Sequence, residues 1–430
     1  MTQGLYNLFL FFYQIGITIF ALRNHKAKRW VTGRKNILEK ISSELSKNYT
    51  GHTTWMHCAS LGEFEQGRPL LEQIRITNPS SRIIITFFSP SGYEIRKDYI
   101  GADHVFYLPM DSSRNARIFV ELINPTLVLW IKYEYWYYYL GELKRRNIPT
   151  LLISGSFRKS QRFFSSYGGF WRNILLCFTH LFLQNRASAD LLSEINISEK
   201  VTISGDTRFD RVINIAENFI DVPGVSGFCK DHQVVVAGST WEEDEAIFVH
   251  YVKANPNKVF IIAPHEIDHE NLQDIKKEFP NSLFYSQIIN SNKSSNTMDP
   301  EVNVLIIDSI GLLSRLYKYA DVTYVGGGFG DDGLHNILEA AVYGKPVVFG
   351  PEIDKNVEAQ DMIDTGGAVC IENAVELEIA LNEMMNNDVE LKLKGNAAKE
   401  FIYGSAGATN EIMTYLQENN LLPSGKAPFH

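Results

Sequence analysis

Short apolar runs alternate with amphipathic helical patterns along most of this chain. The first series of runs covers residues 52–59, 83–88, 105–108, 127–131, 150–153 and 180–183, and the second covers residues 234–237, 259–263, 304–308, 322–325 and 346–349. Apolar runs separated by helices are typical of parallel strands that are covered on both faces. The sequence therefore predicts an α/β protein with two Rossmann-like, doubly wound domains.

The length of the chain and its turn-forming residues indicate where the domains divide. A chain of 430 residues is long for a single core, and the segment 219–232, which contains DVPGVSG, has the composition of a linker. We expect one domain over residues 31–220 and a second over residues 230–420. Ligands bind at the carboxyl ends of parallel strands, so the predicted active site is a cleft between the two facing domains.

Charge and cysteine content exclude several classes of protein. The formal net charge of −9 argues against a general nucleic-acid binder. The cysteines lie far apart and form no C-x-x-C pair, so neither a disulfide framework nor a thiolate metal site is indicated. A reducing compartment is the simpler interpretation.

The amino-terminal segment is apolar and is followed by positive charge. Residues 5–22, LYNLFLFFYQIGITIFAL, contain no charged side chain, and a helix of this length just spans the hydrocarbon core of a bilayer. Asn7, Gln14 and Thr18 favour instead a helix that lies in the membrane interface. A buried core helix is the third interpretation. Six cations follow the apolar segment: Arg23, Lys26, Lys28, Arg29, Arg34 and Lys35.

This order of charge is the reverse of that in a cleaved signal peptide. Positive charge on the carboxyl side of the segment predicts that the rest of the chain stays in the cytoplasm. We therefore predict that residues 1–30 anchor the protein to the cytoplasmic face of the inner membrane.

The stretch His265–His269, HEIDH, matches the H-E-x-x-H pattern of zinc peptidases. That chemistry needs both histidines on one face of a helix. The preceding run KVFIIA has the composition of a buried strand, so His265 is predicted to lie where a strand turns toward a helix. A zinc site stays open as an alternative, but a ligand-facing loop fits this context better.

The glycine-rich stretch at residues 321–351 predicts a phosphate or nucleotide site. The glycines at 326–328 follow a strand and allow a ligand to approach the backbone, and a helix is expected to begin near His335. The first turn of a helix offers free N–H groups to phosphate. Asn336 and Glu339, three residues apart on that helix, would share a face and hold ribose hydroxyls. A capped strand-to-helix turn without a ligand is the structural alternative.

Two acids and two arginines are further candidates. Glu63 follows a strand at the start of a predicted helix, and Glu134 follows another strand among aromatic residues. Burial would raise the pKa of either carboxylate toward the value that a general base needs, although Glu63 would equally favour the helix dipole. Arg158 and Arg208 are candidates to pair with an anionic group of a substrate.

Several of these strings together resemble a known enzyme family. HCASLGE, LPMD, YEYW, GDTRFD, AGSTWEEDE and GGGFGDDGLHNILEAAVYGKPVVFGP occur in the order, and at roughly the spacing, of the lipid A Kdo transferases. These are bacterial GT-B glycosyltransferases that move 3-deoxy-D-manno-octulosonic acid (Kdo) from CMP-Kdo onto a lipid A precursor in lipopolysaccharide biosynthesis. The resemblance extends over about residues 1–415 and includes the apolar amino-terminal segment.

The resemblance implies a role for each matching residue. It implies that Glu63 is the catalytic base of an inverting transfer and that Glu134 is an essential second acid. It also implies that the CMP portion of the donor is bound by Gly238, Ser239, Thr240, His265, Gly327, Gly328, Asn336 and Glu339. CMP-Kdo, a lipid A precursor and the cytoplasmic membrane surface are the expected partners, and neither a metal, another cofactor nor nucleic acid is expected.

The chain departs from the family pattern at two places. The family usually has Pro-Arg-His where this chain has Ala263-Pro264-His265, so the arginine is missing, and Lys132 replaces the first glutamate of the motif that contains Glu134. The donor carries a carboxylate that needs a cation, for which Arg158 and Arg208 are our candidates. A GT-B enzyme with a UDP-type sugar donor and a non-catalytic sugar-nucleotide sensor remain alternatives.

Overall fold

The structure is a computed structural model that describes residues 3–45, 49–290, 301–330, 333–354 and 356–423. The chain divides into two compact units. Unit 1 comprises the residues up to Arg211 together with those from Ala406 onward, and unit 2 comprises Val212–Ser405.

Unit 1 contains a seven-stranded parallel sheet with helices on both faces. Its strands are β1 (Thr53–Cys58), β2 (Arg82–Phe87), β3 (His104–Tyr107), β4 (Leu127–Ile131), β5 (Thr150–Gly155), β6 (His180–Leu183) and β7 (Val201–Ile203). Its helices before unit 2 are α1 (Gln3–Phe20), α2 (His25–Gly33), α3 (Ile37–Glu44), α4 (Leu61–Thr77), α5 (Pro90–Arg96), α6 (Ser113–Ile123), α7 (Tyr137–Arg145), α8 (Gly169–Leu175), α9 (Arg186–Glu194) and α10 (Thr207–Glu217), the last of which crosses into unit 2. The strand order is β3-β2-β1-β4-β5-β6-β7.

Unit 2 repeats this design. Its strands are β8 (Val234–Thr240), β9 (Val259–Pro264), β10 (Ser282–Phe284), β11 (Val304–Ile306), β12 (Val322–Val325), β13 (Val347–Phe349) and β14 (Ala368–Cys370), in the order β10-β11-β9-β8-β12-β13-β14. Its helices are α11 (Val225–Cys229), α12 (Glu242–Ala254), α13 (His269–Glu278), α14 (Tyr285–Asn290), α15 (Leu313–Leu316), α16 (Leu338–Ala341), α17 (Val357–Asp364), α18 (Ala374–Met385) and α19 (Asp388–Gly404), and the last helix, α20 (Ala408–Glu418), returns to unit 1. The prediction of two doubly wound parallel sheets is therefore confirmed.

The central strands are buried on both faces, as their continuous apolar composition requires. Every residue of β1, β2, β4 and β5 is buried in unit 1, and the same holds for β9 and β12 in unit 2. In each sheet the chain winds outward in both directions from one pair of adjacent strands, which is β1 and β4 in unit 1 and β8 and β12 in unit 2. Ligand sites of open parallel sheets form at such a switch point, beyond the carboxyl ends of the strands.

The boundary between the units differs from the predicted linker at residues 219–232. It falls inside α10, and Val222 and Phe228 of the predicted linker are buried within unit 2. In addition, α20 packs with unit 1 although the predicted second domain runs to residue 420. The carboxylate of Asp210 on α10 accepts the backbone N–H groups of Gly407 and Thr409, each at 2.6 Å, at the start of α20.

The apolar amino-terminal segment forms α1, which lies against unit 1. The hydroxyl of Tyr6 donates to the buried carboxylate of Asp111 at 2.6 Å, and the same carboxylate accepts the N–H groups of Tyr138 and Tyr139 at the start of α7. Asp111 thereby joins α1 to α7. None of the helices in the described ranges combines the length with the apolarity that a membrane crossing needs.

Candidate active site

The two predicted catalytic acids meet at the switch point of the first sheet. Glu63 is the third residue of α4, which follows β1, and Glu134 lies three residues beyond the end of β4. Because β1 and β4 are neighbours, the two loops leave the same edge of the sheet. The negative charge of Glu134 acts on Glu63, whose side chain is largely buried.

The surroundings of Glu63 oppose its ionisation. Its carboxylate accepts the backbone N–H groups of Ala59 and Tyr133, which stabilise the charged form together with Lys132. Burial is the larger influence, and with the charge of Glu134 it raises the pKa of Glu63 to about 8. The upward shift expected from the sequence is therefore present, and Glu63 can hold or release a proton near neutral pH.

Glu134 is held by three aromatic side chains. Its carboxylate accepts hydrogen bonds from His57 Nε2 at 2.8 Å and from Trp136 Nε1 at 2.9 Å. The indole of Trp130 donates to the backbone carbonyl of Glu134. His57 was not among the predicted site residues, although a histidine inside the apolar strand TTWMHC is the signal that would have identified it.

The predicted donor-site residues gather at the switch point of the second sheet. Ser239 lies near the end of β8 with a φ of 54°, and Gly326, directly after β12, donates its N–H to the carbonyl of Gly238 at 2.9 Å. Gly327 has a φ of 89°, which favours glycine. A side chain on Gly328 would come within 2.7 Å of backbone atoms of Gly350. The backbone here is tightly packed, as the glycine run predicts.

A carboxylate that the sequence analysis did not select organises this turn. The carboxylate of Asp244 on α12 accepts the N–H groups of Gly327 at 2.8 Å and Trp241 at 3.0 Å, and the hydroxyl of Tyr324 at 2.6 Å. Burial raises the pKa of Asp244, and these three donors act in the opposite direction. Asp244 therefore links the end of β8 to the glycine-rich turn after β12.

The hydroxyl of Thr240 is already engaged. It donates to the carboxylate of Glu245 at 2.8 Å, and the threonine is almost completely buried. Burial raises the pKa of Glu245 to about 7, against the effect of this hydrogen bond. The backbone carbonyl of Thr240 is engaged as well, because it accepts the N–H of His265 at 2.9 Å.

His265 lies at the strand-to-helix turn that the sequence predicts. It follows β9 directly, and α13 begins at His269 with Asp268 as its capping residue. The two histidines of HEIDH therefore do not share one helix face, which contradicts the geometry that a zinc peptidase requires. No group of three His, Cys, Asp or Glu side chains suited to a metal occurs among the residues that the structure describes.

The ring of His265 forms an aromatic stack with two neighbours. Its centroid lies 4.6 Å from that of Trp241 and 4.5 Å from that of His335, with interplanar angles of 24° and 19°. Trp241 Nε1 donates to His335 Nε2 at 3.0 Å. Because His265 itself is exposed, the stack presents a flat polar ring at the carboxyl ends of the strands.

The prediction of a helix that begins near His335 is wrong, because the helix begins later and is short. Helix α16 begins at Leu338 and has four residues. It begins late because the preceding backbone bonds to the glycine-rich turn: the N–H of His335 donates to the carbonyl of Gly326. Asn336 precedes the helix, its side-chain oxygen accepts the N–H of Leu338 at 3.2 Å, and its amide donates to Glu339 at 3.3 Å. The two side chains are neighbours, but so short a helix provides no dipole for a phosphate.

The two candidate arginines occupy different settings in unit 1. Arg158 follows β5, is exposed, and donates its backbone N–H to Gln161. The guanidinium of Arg208 contacts the buried carboxylate of Asp206 through two nitrogens, at 2.9 and 2.8 Å. Gln66, one turn beyond Glu63 on α4, donates to the same carboxylate at 3.1 Å. Arg208 is therefore tied to the helix that carries Glu63.

Comparison with known proteins shows which family the residues of this site resemble. Residues 32–211, which include both acids and both arginines, match the family model described as 3-deoxy-D-manno-octulosonic-acid transferase (kdotransferase). Over these residues unit 1 is similar to the Kdo transferase family. Curated Kdo transferases are similar over most of the chain. The 3-deoxy-D-manno-octulosonic acid transferase of Haemophilus influenzae is 27% identical over 84% of this chain and 86% of its own length.

Other relatives extend this comparison. The Kdo transferase of Rickettsia felis is 25% identical over 86% of this chain and 80% of its own length. A bifunctional glycosyltransferase/methyltransferase of Fusobacterium nucleatum is 25% identical over 90% of this chain, which spans only 58% of that protein.

Solved structures share the fold. A UDP-GlcNAc 2-epimerase of Neisseria meningitidis superposes with a TM-score of 0.61 at 16% identity, over 85% of this chain and 100% of its own. A glycosyltransferase of Rickettsia africae superposes with a TM-score of 0.53 at 13% identity, over 86% of this chain and 99% of its own. At these identities the structures support the architecture alone.

Proposed function

We propose that this protein is an inverting GT-B glycosyltransferase that moves Kdo from CMP-Kdo to a lipid A precursor. The observation that carries the proposal is the pair of carboxylates, Glu63 and Glu134, which follow neighbouring strands and interact electrostatically within the residues that match the Kdo transferase model. A carboxylate with its pKa near neutrality is suited to accept the proton of an alcohol.

The reaction needs one base and a good leaving group. In the proposal Glu63 takes the proton of the acceptor hydroxyl while the acceptor oxygen forms a bond to the anomeric carbon of Kdo. The bond from that carbon to the phosphate oxygen breaks, and CMP leaves with the electron pair. Because CMP is already a good leaving group, the enzyme must chiefly orient the two partners and provide the base.

Unit 2 would hold the CMP portion of the donor. The residues proposed for this role are those that the sequence analysis selected: Ser239, Thr240, His265, Gly327, Gly328, Asn336 and Glu339. Their support is their convergence at the switch point of β8 and β12 and the exposed ring of His265. The first turn of α12 is the site of four acids and would repel a phosphate, so we do not assign it to the donor.

The carboxylate of Kdo would meet a cation on unit 1. Arg208 is supported by its indirect connection to α4 through Asp206 and Gln66, although one carboxylate already contacts its guanidinium. Arg158 is supported by its exposed position after β5. Alanine at each position would separate the two candidates, because loss of the pairing cation should raise the KM for CMP-Kdo about tenfold or more.

A membrane-facing role for α1 completes the proposal. Its outward residues are 41–64% exposed although they are large and apolar, and they include Leu8, Phe9, Phe11, Phe12, Ile15, Ile19 and Phe20. Exposed cations follow at positions 23, 26, 28 and 29. An apolar face next to basic residues is suited to an anionic bilayer surface, so we propose that α1 lies on the cytoplasmic face of the inner membrane rather than crossing it.

A groove beside α1 supports a lipid acceptor. It has a volume of about 1240 Å³ and is lined by apolar residues such as Trp30, Met110 and Ile118, and by the exposed cations Lys35 and Arg114. A lipid with acyl chains and negative charge matches both features of this lining.

Incubation with CMP-Kdo and a lipid A precursor, followed by mass measurement of the products, tests the proposal. We expect the precursor to gain the mass of Kdo, and we expect Glu63→Ala to reduce the rate by about 10² to 10⁴ while CMP binding persists. Tighter binding of UDP than of CMP would favour a UDP-sugar enzyme, and turnover that is unchanged in Glu63→Ala would remove Glu63 from the mechanism.

Flotation with lipid vesicles tests the membrane proposal. Phe9→Glu with Phe12→Glu should abolish association with anionic vesicles, whereas Val389→Glu, at an exposed apolar residue of α19, should not change it. Equal association of all three proteins would contradict a role for α1.

A further inference from the structure

A buried series of polar side chains lies behind Glu134. Trp55 Nε1 donates to Thr86 Oγ1 at 2.8 Å, Thr86 Oγ1 lies 2.9 Å from His57 Nδ1, and His57 Nε2 lies 2.8 Å from Glu134 Oε2. Trp55, Thr86 and His57 have no exposed surface. A buried polar group costs free energy unless it is hydrogen-bonded. The presence of three such groups in the apolar core of the sheet therefore indicates a specific role.

The strands place these side chains in register. His57 on β1 pairs directly with Thr86 on β2 and with Trp130 on β4, so the three side chains lie side by side on one face of the sheet. Trp55, two residues before His57, points to the same face. The centroid of the Trp130 indole is 4.5 Å from that of the His57 ring. The imidazole is thus fixed between neighbouring strands.

The possible donors and acceptors determine where the protons lie. An indole nitrogen can only donate, so Thr86 Oγ1 accepts from Trp55. Among the contacts of the described residues, His57 Nδ1 is then the acceptor within reach of the Thr86 hydroxyl proton. A neutral His57 that accepts at Nδ1 carries its proton on Nε2 and donates it to Glu134.

We propose that His57 is a positioning residue that holds the side chain of Glu134 in place beside Glu63, and that Trp55 and Thr86 fix the tautomer in which it does so. The proposal rests on the proposed function, in which Glu63 and Glu134 act as a pair. Two N–H donors, from His57 and Trp136, stabilise the charge of Glu134. That charge in turn disfavours ionisation of Glu63 and so sets the pH at which the base becomes active.

Other titratable groups also act on the two carboxylates. They are Tyr13 on α1, Arg34 after α2, Cys58 on β1, and Lys132 and Tyr135 after β4. None of them is changed by substitution of His57, so a shift in the titration of Glu63 reports on the contact between His57 and Glu134.

The tautomer is tested by NMR of protein labelled with ¹⁵N-histidine. The signals of His57 are assigned by their loss in His57→Gln, and we expect a neutral ring with the proton on Nε2. We expect Thr86→Val to change the Nδ1 shift and Thr86→Ser, which keeps the hydroxyl, to retain it. A doubly protonated ring or a proton on Nδ1 alone in the unsubstituted protein would overturn the proposal.

The effect on Glu63 is tested by the ¹³C titration of its carboxyl group, which needs no substrate. His57→Phe removes the donor that holds Glu134 in place, so the charge of Glu134 should act less strongly on Glu63 and the midpoint of Glu63 should fall by about one pH unit. His57→Gln keeps an N–H donor and should restore the midpoint. His180→Phe, at a partly buried histidine of β6 that bonds Thr202, is the matched control and should leave it unchanged.

The midpoint of the pH–rate profile should move in the same direction in His57→Phe. An unchanged Glu63 midpoint in that variant would overturn the positioning role. Absence of Kdo transfer by the unsubstituted protein would instead refute the proposed function, and the two NMR measurements would still decide the contact between His57 and Glu134.

Discussion

Glu63→Gln should make unit 1 more stable at alkaline pH while it abolishes the base. If Glu63 only capped its helix, the substitution would instead make unit 1 less stable, by about 0.5–2 kcal/mol. Glu63 does accept the N–H of Ala59 at the start of α4, so both interpretations apply to this residue. The change of stability with pH distinguishes them.

The expected magnitude follows from the pKa of about 8, against the ordinary value of 4.5. Below pH 4.5 the carboxyl group is protonated in both the folded and the unfolded chain, so it does not make the stability of the folded state depend on pH. Between pH 4.5 and 8 only the unfolded chain releases the proton, so the stability of the folded state falls as the pH rises. The full shift corresponds to a ceiling of about 5 kcal/mol, and we expect a measured difference of about 2 kcal/mol at pH 9.

Hydrogen exchange of β1, followed by mass spectrometry, measures the opening free energy of unit 1 alone. The opening free energy of Glu63→Gln should be close to that of the unsubstituted protein near pH 5. It should exceed that value by a growing margin up to pH 9. Glu376→Gln, followed in the same way by the exchange of β13 in unit 2, is the matched control, because Glu376 on α18 also accepts a backbone N–H before its helix, from Glu372 at 2.9 Å. Parallel loss of stability in Glu63→Gln and the unsubstituted protein between pH 5 and 9 would refute the reasoning.

Three further outcomes are expected. The rate of transfer should rise about tenfold from pH 7 to pH 9 in a pH–rate profile, because the ionised fraction of Glu63 rises from about 0.1 to about 0.9; a flat profile would exclude Glu63 as the base. Gly328→Ala should weaken CMP binding in calorimetry by at least about tenfold, because the added carbon meets the backbone of Gly350, whereas a carbon added at Gly330 meets no described atom within 4 Å, so Gly330→Ala should bind normally. Tyr6→Phe should lower the free energy of unfolding by about 1 kcal/mol, as judged by urea denaturation, because the buried Asp111 loses a hydrogen bond; no change would show that the contact is dispensable.

The strands that the sequence predicted and those that it missed differ in position. Central strands such as β4 (Leu127–Ile131) and β12 (Val322–Val325) occur at the predicted residues, because burial on both faces demands a continuous apolar run. The three missed strands, β7, β10 and β14, have three residues each and lie at sheet edges. An edge strand has one neighbour and less burial, so its composition gives a weaker pattern.

The error near His335 has a different origin. The pattern HNILEA is typical of a helix, and the intrinsic preferences of these residues predict that the helix starts near His335. The backbone of residues 333–337 instead bonds to other loops: the N–H of Leu334 donates to the carbonyl of Glu352, and that of His335 to Gly326. Contacts between distant segments therefore override the local preference.

The sequence by itself determined the two parallel sheets and the places where their strands end, and hence that Glu63, Glu134 and the glycines of residues 326–328 follow strands. Periodicity and composition are local properties, so they are readable without the fold. Only the tertiary structure decided which groups meet at those ends. His57 contacts Glu134 across 77 positions of sequence and Asp244 contacts Gly327 across 83, because strand order and packing, rather than spacing along the chain, bring such side chains together.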